Sequence, residues 1–225
     1  MDKSRIIKRD VELPTDARGK LAFGLYNVFT PKECKDFIKI TEKRGYEEAL
    51  VNIGAGRQLL MTNVRNSDRC IVDSHEDAEK IWQRIRDFIP SQWNERPVLG
   101  LNERLRFLRY DGGGYFKPHY DGSYIRENGE KSYITIQLYL NEATTCWIIK
   151  VVLLWHQGFD GGSTTFISAM NEKERVEFVP QTGSILVFQH DILHEGSELI
   201  KGRKYTMRTD VMFDNKKVGQ PLTSA

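Results

Sequence analysis

Apolar positions along the chain follow two regimes. In the first hundred residues they recur at helical spacing. Ala78, Ile81, Trp82, Ile85 and Phe88-Ile89 follow one another at intervals of three and four, which predicts an amphipathic helix opened at Asp73-Ser74 and stopped by Pro90. An earlier helix is expected from Thr30-Pro31-Lys32-Glu33. There the threonine is the cap, proline takes the first helical position and an acidic residue the third. Its apolar stripe (Phe37, Ile38, Ile40, later Tyr46) is imperfect, and Gly45 marks its end. A strand over 21–29 precedes it. Residues 46–70 read as irregular, with Gly54 and Gly56 in a loop. From Glu103 onward the pattern changes to short runs of aromatic and branched residues cut by Gly, Asp and Pro. Strands are expected over 104–110, 115–119, 132–140, 163–166, 176–179, 184–188 and 204–213. Helices first and many strands later predict a mainly β protein, a sandwich or jelly roll with flanking helices. The charged residues 1–20 read as a flexible N-terminal arm. Residues 21–102 form a helical and strand support for the same domain, 103–214 the β core and 215–225 a tail.

Length and composition add bounds rather than detail. A chain of 225 residues with 40% hydrophobic content suits one domain. Thirty-three basic against thirty-one acidic side chains give a formal charge of +2, a balance that calls for neither nucleic acid nor a membrane as partner. The cysteines Cys34, Cys70 and Cys146 are scattered and lack C-x-x-C spacing. That argues against a disulfide framework or a structural zinc and for a reducing compartment. No signal-peptide core and no run of about 20 apolar residues is visible, so cytoplasm or nucleus is the expected location.

The chemistry centres on RFLRYDGGGYFKPHYD, whose last three residues are His119-Tyr120-Asp121. On a strand, residues i and i+2 leave the same face, so imidazole and carboxylate would point together. They are two corners of a 2-His-1-carboxylate site, the geometry that suits Fe(II) with open positions. A third ligand is expected from VFQHDILHEG, where His190 and His194 both offer an imidazole. Gly112, Gly113 and Gly114 read as a tight turn, since no G-K-[ST] and no helix follow to make a phosphate loop. An oxygen-activating Fe(II) site needs electrons that a 2-oxo acid cosubstrate supplies, and such a cosubstrate needs a cation for its distal carboxylate. Lys204 and Arg208, four apart on KYTMRTDVMF, share a face. A cation on the inner face of so apolar a strand is costly unless paired; the competing reading is an edge strand with both facing water.

Taken together, RYDGGGYFKPHYD, ITIQLYLNE, GGSTTF, TGSILVFQHDILHEG and IKGRKY resemble, in that order and spacing, the iron(II)- and 2-oxoglutarate-dependent dioxygenases, most closely their prolyl 4-hydroxylase-like branch. The resemblance covers 105–213, roughly half the chain. It implies a double-stranded β-helix (jelly roll) core and the metal ligands His119, Asp121 and His194. The interval from His194 to Lys204 is that of the family's 2-oxoglutarate lysine, which favours His194 over His190. Tyr139 matches a tyrosine that hydrogen-bonds the same carboxylate, and Tyr110 an aromatic lining the cosubstrate pocket. Thr135 and Gln137 share the face of Tyr139 and are expected beside it. Arg208 is the second choice of anchor. The implied reaction turns 2-oxoglutarate and O2 into succinate and CO2 while hydroxylating an unactivated C–H, with ascorbate as reductant. The expected substrate is a peptidyl proline, the alternative a small molecule, and the expected state a monomer.

One stretch departs from that pattern. Residues 143–157, ATTCWIIKVVLLWHQ, form an almost uninterrupted apolar run between Asn141-Glu142 and Gly158-Phe159-Asp160. Without it the sequence reads YLNEGFDGGSTTF, as in the family. It is read as an extra buried strand or a substrate-side lid, or as an unspliced piece of the gene. Two other functions compete for the whole chain. One is a non-catalytic jelly-roll module with a structural metal. The other is a zinc hydrolase with Glu195 as base, which would have no use for Lys204 or Tyr139.

Overall fold

Helices form where the sequence caps them, and both pack on one face of a large sheet. The computed structural model describes residues 6–52, 57–143 and 158–218. In the N-terminal part, β1 (Ile7–Asp10) and β2 (Ala22–Tyr26) precede α1 (Pro31–Arg44). Five short strands follow: β3 (Glu47–Glu48), β4 (Val51–Asn52), β5 (Gln58–Leu59), β6 (Arg65–Asn66) and β7 (Asp68–Asp73). Then come α2 (His75–Ile85), β8 (Gln92–Trp93), β9 (Arg96–Leu101), β10 (Arg104–Asp111), β11 (Tyr115–His119) and β12 (Lys131–Tyr139). The last group is β13 (Asp160–Gly161), β14 (Thr164–Ile167), β15 (Arg175–Phe178), β16 (Ile185–Gln189), β17 (His194–Gly196), β18 (Leu199–Lys201) and β19 (Arg203–Phe213).

Thr30 and Glu33 close a capping box on α1: the threonine hydroxyl accepts from the Glu33 N–H at 3.2 Å, and the Glu33 carboxylate from the Thr30 N–H at 2.8 Å. Such a cap contributes about 1 kcal/mol. Arg84 of α2 reaches the same carboxylate at 2.5 Å. That hydrogen bond, with the cap, holds Glu33 down to about 2 and ties the helices together. Ser74 caps α2 as expected.

Two sheets face each other. The larger runs β1-β2-β16-β12-β19-β10-β7-β3, with β9 on β19 and β8 on β9. The smaller runs β15-β14-β17-β11-β6. Along β19 the side chains alternate. Tyr205, Met207 and Val211 join the helix-side core with Cys34, Ile81 and Ile85. Lys204, Thr206, Arg208 and Asp210 therefore point between the sheets. Tyr139, Phe166, Phe178, Leu186 and Phe188 fill part of that inner space. This is the mainly β, jelly-roll architecture expected.

Three expectations change. Residues 1–20 are not wholly a flexible arm, because Ile7–Asp10 pairs in full register with β2 and a 3-10 turn follows at Thr15–Ala17. Nor are residues 46–70 simply irregular, because β3 and β7 extend the large sheet; Gly54 and Gly56 lie outside the described residues. The tail has structure at its start, where the Val218 N–H donates to the Glu95 carbonyl at 2.8 Å. Of the apolar stretch, 144–157 lie outside the described residues. Its flanks meet: Ala143 bridges Phe159 in parallel sense, and the Phe159 N–H donates to the Glu142 carbonyl at 3.2 Å. The chain therefore enters and leaves that stretch at one point.

Candidate metal and cosubstrate site

The turn 111–114 carries the chain from the large sheet to the small one. Gly113 has φ +82°, and a Cβ on Gly114 would lie 2.8 Å from the Asp111 carbonyl oxygen. Only glycine tolerates both demands. The turn delivers β11, whose last residue His119 stands opposite His194 of β17 in the antiparallel register. Asp121 has left the strand, so the shared face of an H-x-D on a strand is not what unites the pair. Instead the Asp121 N–H donates to the His190 carbonyl at 3.1 Å, which turns its side chain back toward both histidines.

Ligand atoms of His119, Asp121 and His194 all lie within 4.8 Å of one another. Each histidine Nε2 is 3.8 Å from an Asp121 oxygen. The other ring nitrogens are tied to backbone: His119 Nδ1 to the Lys117 carbonyl at 2.7 Å, His194 Nδ1 to that of Ile192 at 2.9 Å. A carbonyl can only accept, so each Nδ1 carries the proton and each Nε2 turns its lone pair to the cluster. Burial, helped by the neighbouring His194, pushes His119 down to about 3. Burial likewise lowers His194. Both rings are neutral at neutral pH, the form that binds a metal. Burial alone would raise Asp121, yet the Arg208 guanidinium 3.1 Å away, with the imidazoles, holds it below the usual carboxylate range. Thr135 donates to its other oxygen at 2.5 Å. Two neutral imidazoles and one ionised carboxylate, each oriented from behind, are a donor set that fits Fe(II).

A cavity of about 550 Å³ opens beside this cluster, lined among others by Tyr110, Gln137, Thr164, Lys204 and Arg208. Lys204 is 2% exposed. Its Nζ donates to the Gly162 carbonyl at 2.5 Å and lies 5.1 and 5.7 Å from the ring centroids of Tyr110 and Tyr139. No carboxylate pairs with it among the described residues, and burial lowers it to about 7. A buried ammonium without an acid fits a carboxylate-bearing cosubstrate. Arg208, the second choice, is already engaged by Asp121 and by Asp210 at 3.2 Å. The Tyr139 hydroxyl bonds Thr164 Oγ1 at 2.7 Å, and Tyr139 is fully buried. Thr135 also has no exposure, and its hydroxyl is engaged by the Asp121 carboxylate.

His190 turns its ring toward Asp210, 3.6 Å away, rather than into the cluster. Glu195 is held by Arg175 and by the Ser197 hydroxyl, which leaves it unsuited to act as a free base. Sequence reasoning missed Thr164, Phe116 and Arg65. Phe116 stacks on His119 with centroids 3.6 Å apart, and the Arg65 guanidinium lies 4.7 Å from the Phe116 centroid. The VRNS sequence around Arg65 carries no pattern that announces this.

Residues 105–209 match the model of the 2OG-Fe(II) oxygenase superfamily. Among curated proteins the chain is similar to a probable prolyl 4-hydroxylase of Arabidopsis thaliana, number 10, with 24% identity over 80% of this chain and 65% of the relative. It is also similar to prolyl 4-hydroxylase 5 of the same plant, with 25% identity over 80% of this chain and 64% of the relative. The chain thus spans just under two thirds of those relatives. Among solved structures it resembles a viral collagen prolyl hydroxylase from Paramecium Bursaria Chlorella virus-1 in its 2OG complex. The TM-score is 0.59 and identity 21%, covering 86% of this chain and 97% of that one. A prolyl hydroxylase from Trichoplax adhaerens, in complex with a hypoxia inducible factor oxygen degradation domain peptide fragment, gives TM-score 0.62 and 16% identity over 93% and 90%. These structural likenesses carry the fold. The family implies Fe(II), 2-oxoglutarate and O2. With a sequence match over 105–209, jelly-roll sheets and a His-Asp-His cluster in one place, the chain is similar to the 2OG-Fe(II) oxygenase superfamily and, among curated proteins, to prolyl 4-hydroxylases.

Proposed function

We propose that the protein couples oxidative decarboxylation of 2-oxoglutarate to hydroxylation of a peptidyl proline. His119, Asp121 and His194 hold Fe(II), and Lys204 receives the distal carboxylate of 2-oxoglutarate. The observation that carries this reading is the pairing of a preorganised His-Asp-His cluster with a buried, acid-free lysine on one cavity. Bound Fe(II) supplies the oxygen activation; the chain supplies geometry, charge and exclusion of water. The Lys117 and Ile192 carbonyls fix the imidazole tautomers, and Thr135 and Arg208 fix the Asp121 carboxylate. Tyr110 and Tyr139 flank Lys204, which supports a role for Tyr139 in sharing the cosubstrate carboxylate. Overall, 2-oxoglutarate, O2 and the C–H yield succinate, CO2 and the alcohol. Ascorbate keeps the metal reduced, and the chain acts as a monomer. A peptide substrate is supported by the Trichoplax relative, which binds one, and by the names of the plant relatives.

Thr135→Val keeps the side-chain shape and removes the donor to Asp121. Because partners behind a ligand typically contribute roughly 10–100-fold in metal affinity, a loss of that size is expected in chelator competition. The function itself is tested by incubating the protein with Fe(II), 2-oxoglutarate, ascorbate and proline-containing peptides under air. Gain of one oxygen on proline by wild type, with none from His119→Ala, is the expected outcome. Succinate formation with no proline oxidised would keep the reaction and reject the substrate.

A further inference from the structure

The cavity wall is more basic than a metal and 2-oxoglutarate require. Among the described residues six cations line it: Arg65, Arg69, Arg104, Arg106, Lys204 and Arg208. Arg69 has Glu47 at 3.0 Å and Arg104 has Asp73 at 3.0 Å, so these two are neutralised locally. Glu195 on the wall is likewise balanced by Arg175. The other four cations face two carboxylates. Asp121 meets Arg208, and Asp210 is shared by Arg106 at 3.1 Å and Arg208 at 3.2 Å. Arg65 bonds the Ser67 hydroxyl at 2.8 Å and has no acid within ion-pair distance among the described residues. The doubly positive metal and the doubly negative cosubstrate cancel, so two positive charges stay on the wall of the loaded site.

The arrangement is costly. Arg106 and Arg208 are direct cross-strand partners in the β10–β19 register, a position where like charges repel. The Arg208 Nε is buried without a hydrogen-bond partner. Arg106 and Arg208 keep 26% and 20% of their side-chain surface exposed, and Arg65 rests on Phe116, which stacks on His119. The surplus therefore sits beside the metal cluster and on the wall of an open cavity, within reach of a ligand. A carboxylate accepts two parallel hydrogen bonds from a guanidinium, so arginines select carboxylates by geometry as well as charge.

We propose that the substrate is an acidic peptide, its target proline flanked by Asp or Glu whose carboxylates are received by Arg65 and Arg106. This rests on the oxygenase reading of the same site. The probes are three fluorescein-labelled peptides, each with one proline flanked by glutamates, by glutamines or by lysines. They are titrated by anisotropy, without oxygen, against protein loaded with Fe(II) and 2-oxoglutarate. Losing one member of a charged pair at an interface is costly, so the Glu peptide is expected to bind at least about tenfold tighter than the Gln peptide, and the Lys peptide weakest. Added salt and Arg106→Gln or Arg65→Gln should each shrink the advantage. Equal or tighter binding of the Gln peptide overturns the proposal, as does absence of binding by all three. A Glu preference untouched by both substitutions overturns the assignment to these arginines. If a variant does not fold, the wild-type Glu-to-Gln comparison decides alone. Binding of 2-oxoglutarate to the metal-loaded wild type, measured in the same samples, separates the two failures. Its absence refutes the oxygenase reading, whereas its presence without a Glu preference refutes only the acidic-peptide proposal.

Discussion

His194→Ala is expected to lower Fe(II) affinity by more than about a hundredfold, beyond the range set by losing a partner behind a ligand, and to abolish 2-oxoglutarate turnover. It removes one of three donors whose atoms lie within 4.8 Å, and no nearby group among the described residues is placed to substitute. His190 faces Asp210, and Glu195 is held by Arg175. The ring of His194 sits 4.7 Å from that of Phe188 and 6.3 Å from that of Phe166, so alanine also leaves a small cavity. A modest loss of thermal stability should accompany the loss of metal. His190→Ala is the informative control, with an expected change in metal affinity below about tenfold, because its ring acts behind Asp210 rather than on the metal. Chelator competition on both variants checks the assignment. Metal loss in His190→Ala with retention in His194→Ala would reverse it.

Lys204→Met is expected to act in opposite directions on the empty and the loaded protein. Without ligand, the variant removes a buried ammonium that no acid among the described residues balances and replaces it with an apolar side chain of similar length. Burying a charge without a partner is costly, so the ligand-free melting temperature should rise. Affinity for 2-oxoglutarate should fall by about 100-fold or more, the effect of removing one partner of a buried charge pair. The pH dependence follows from burial, which brings Lys204 from the ordinary 10.5 to about 7 in the folded protein. Below about 7 the lysine is charged in folded and unfolded chains alike, and its destabilising effect is fully present. Between about 7 and 10.5 the unfolded chain binds more protons, so ligand-free stability rises with pH across that window. Binding a carboxylate favours the protonated amine, so 2-oxoglutarate affinity declines as pH rises above about 7. Lys204→Met should flatten both profiles. Thermal melts and 2-oxoglutarate titrations across that range check each sign.

Much of this site was legible in the sequence because its parts are local. Thr30, Pro31 and Glu33 announce α1 within four residues, and the Gly112–Gly114 turn, the H-x-D and the His194-to-Lys204 interval each occupy one short stretch of sequence. The strands of the core were visible for the same reason, since alternation between two faces is a property of each strand by itself. What escaped notice depends on pairing between distant segments. Ile7–Asp10 is charged and mostly exposed, so nothing in its own pattern marks it as the edge strand that β2 recruits. Asp121 reaches the histidines through the His190 carbonyl rather than along a strand, a contact with a segment 69 residues away in sequence. Asp210 shares a face with Arg208 of its own strand, but only the register with β10 brings Arg106 to it. Thr164 lies inside the GGSTTF motif, yet its bond to the Tyr139 hydroxyl joins two different sheets.

The most direct test is a titration of 2-oxoglutarate into the protein without oxygen, with and without Fe(II), on wild type, His194→Ala and Lys204→Met. The expected result is saturable, metal-dependent binding at one site per chain, lost or severely weakened in both variants. A metal-loaded wild type that does not bind 2-oxoglutarate, or binding indifferent to both substitutions, would contradict the joint metal and cosubstrate site.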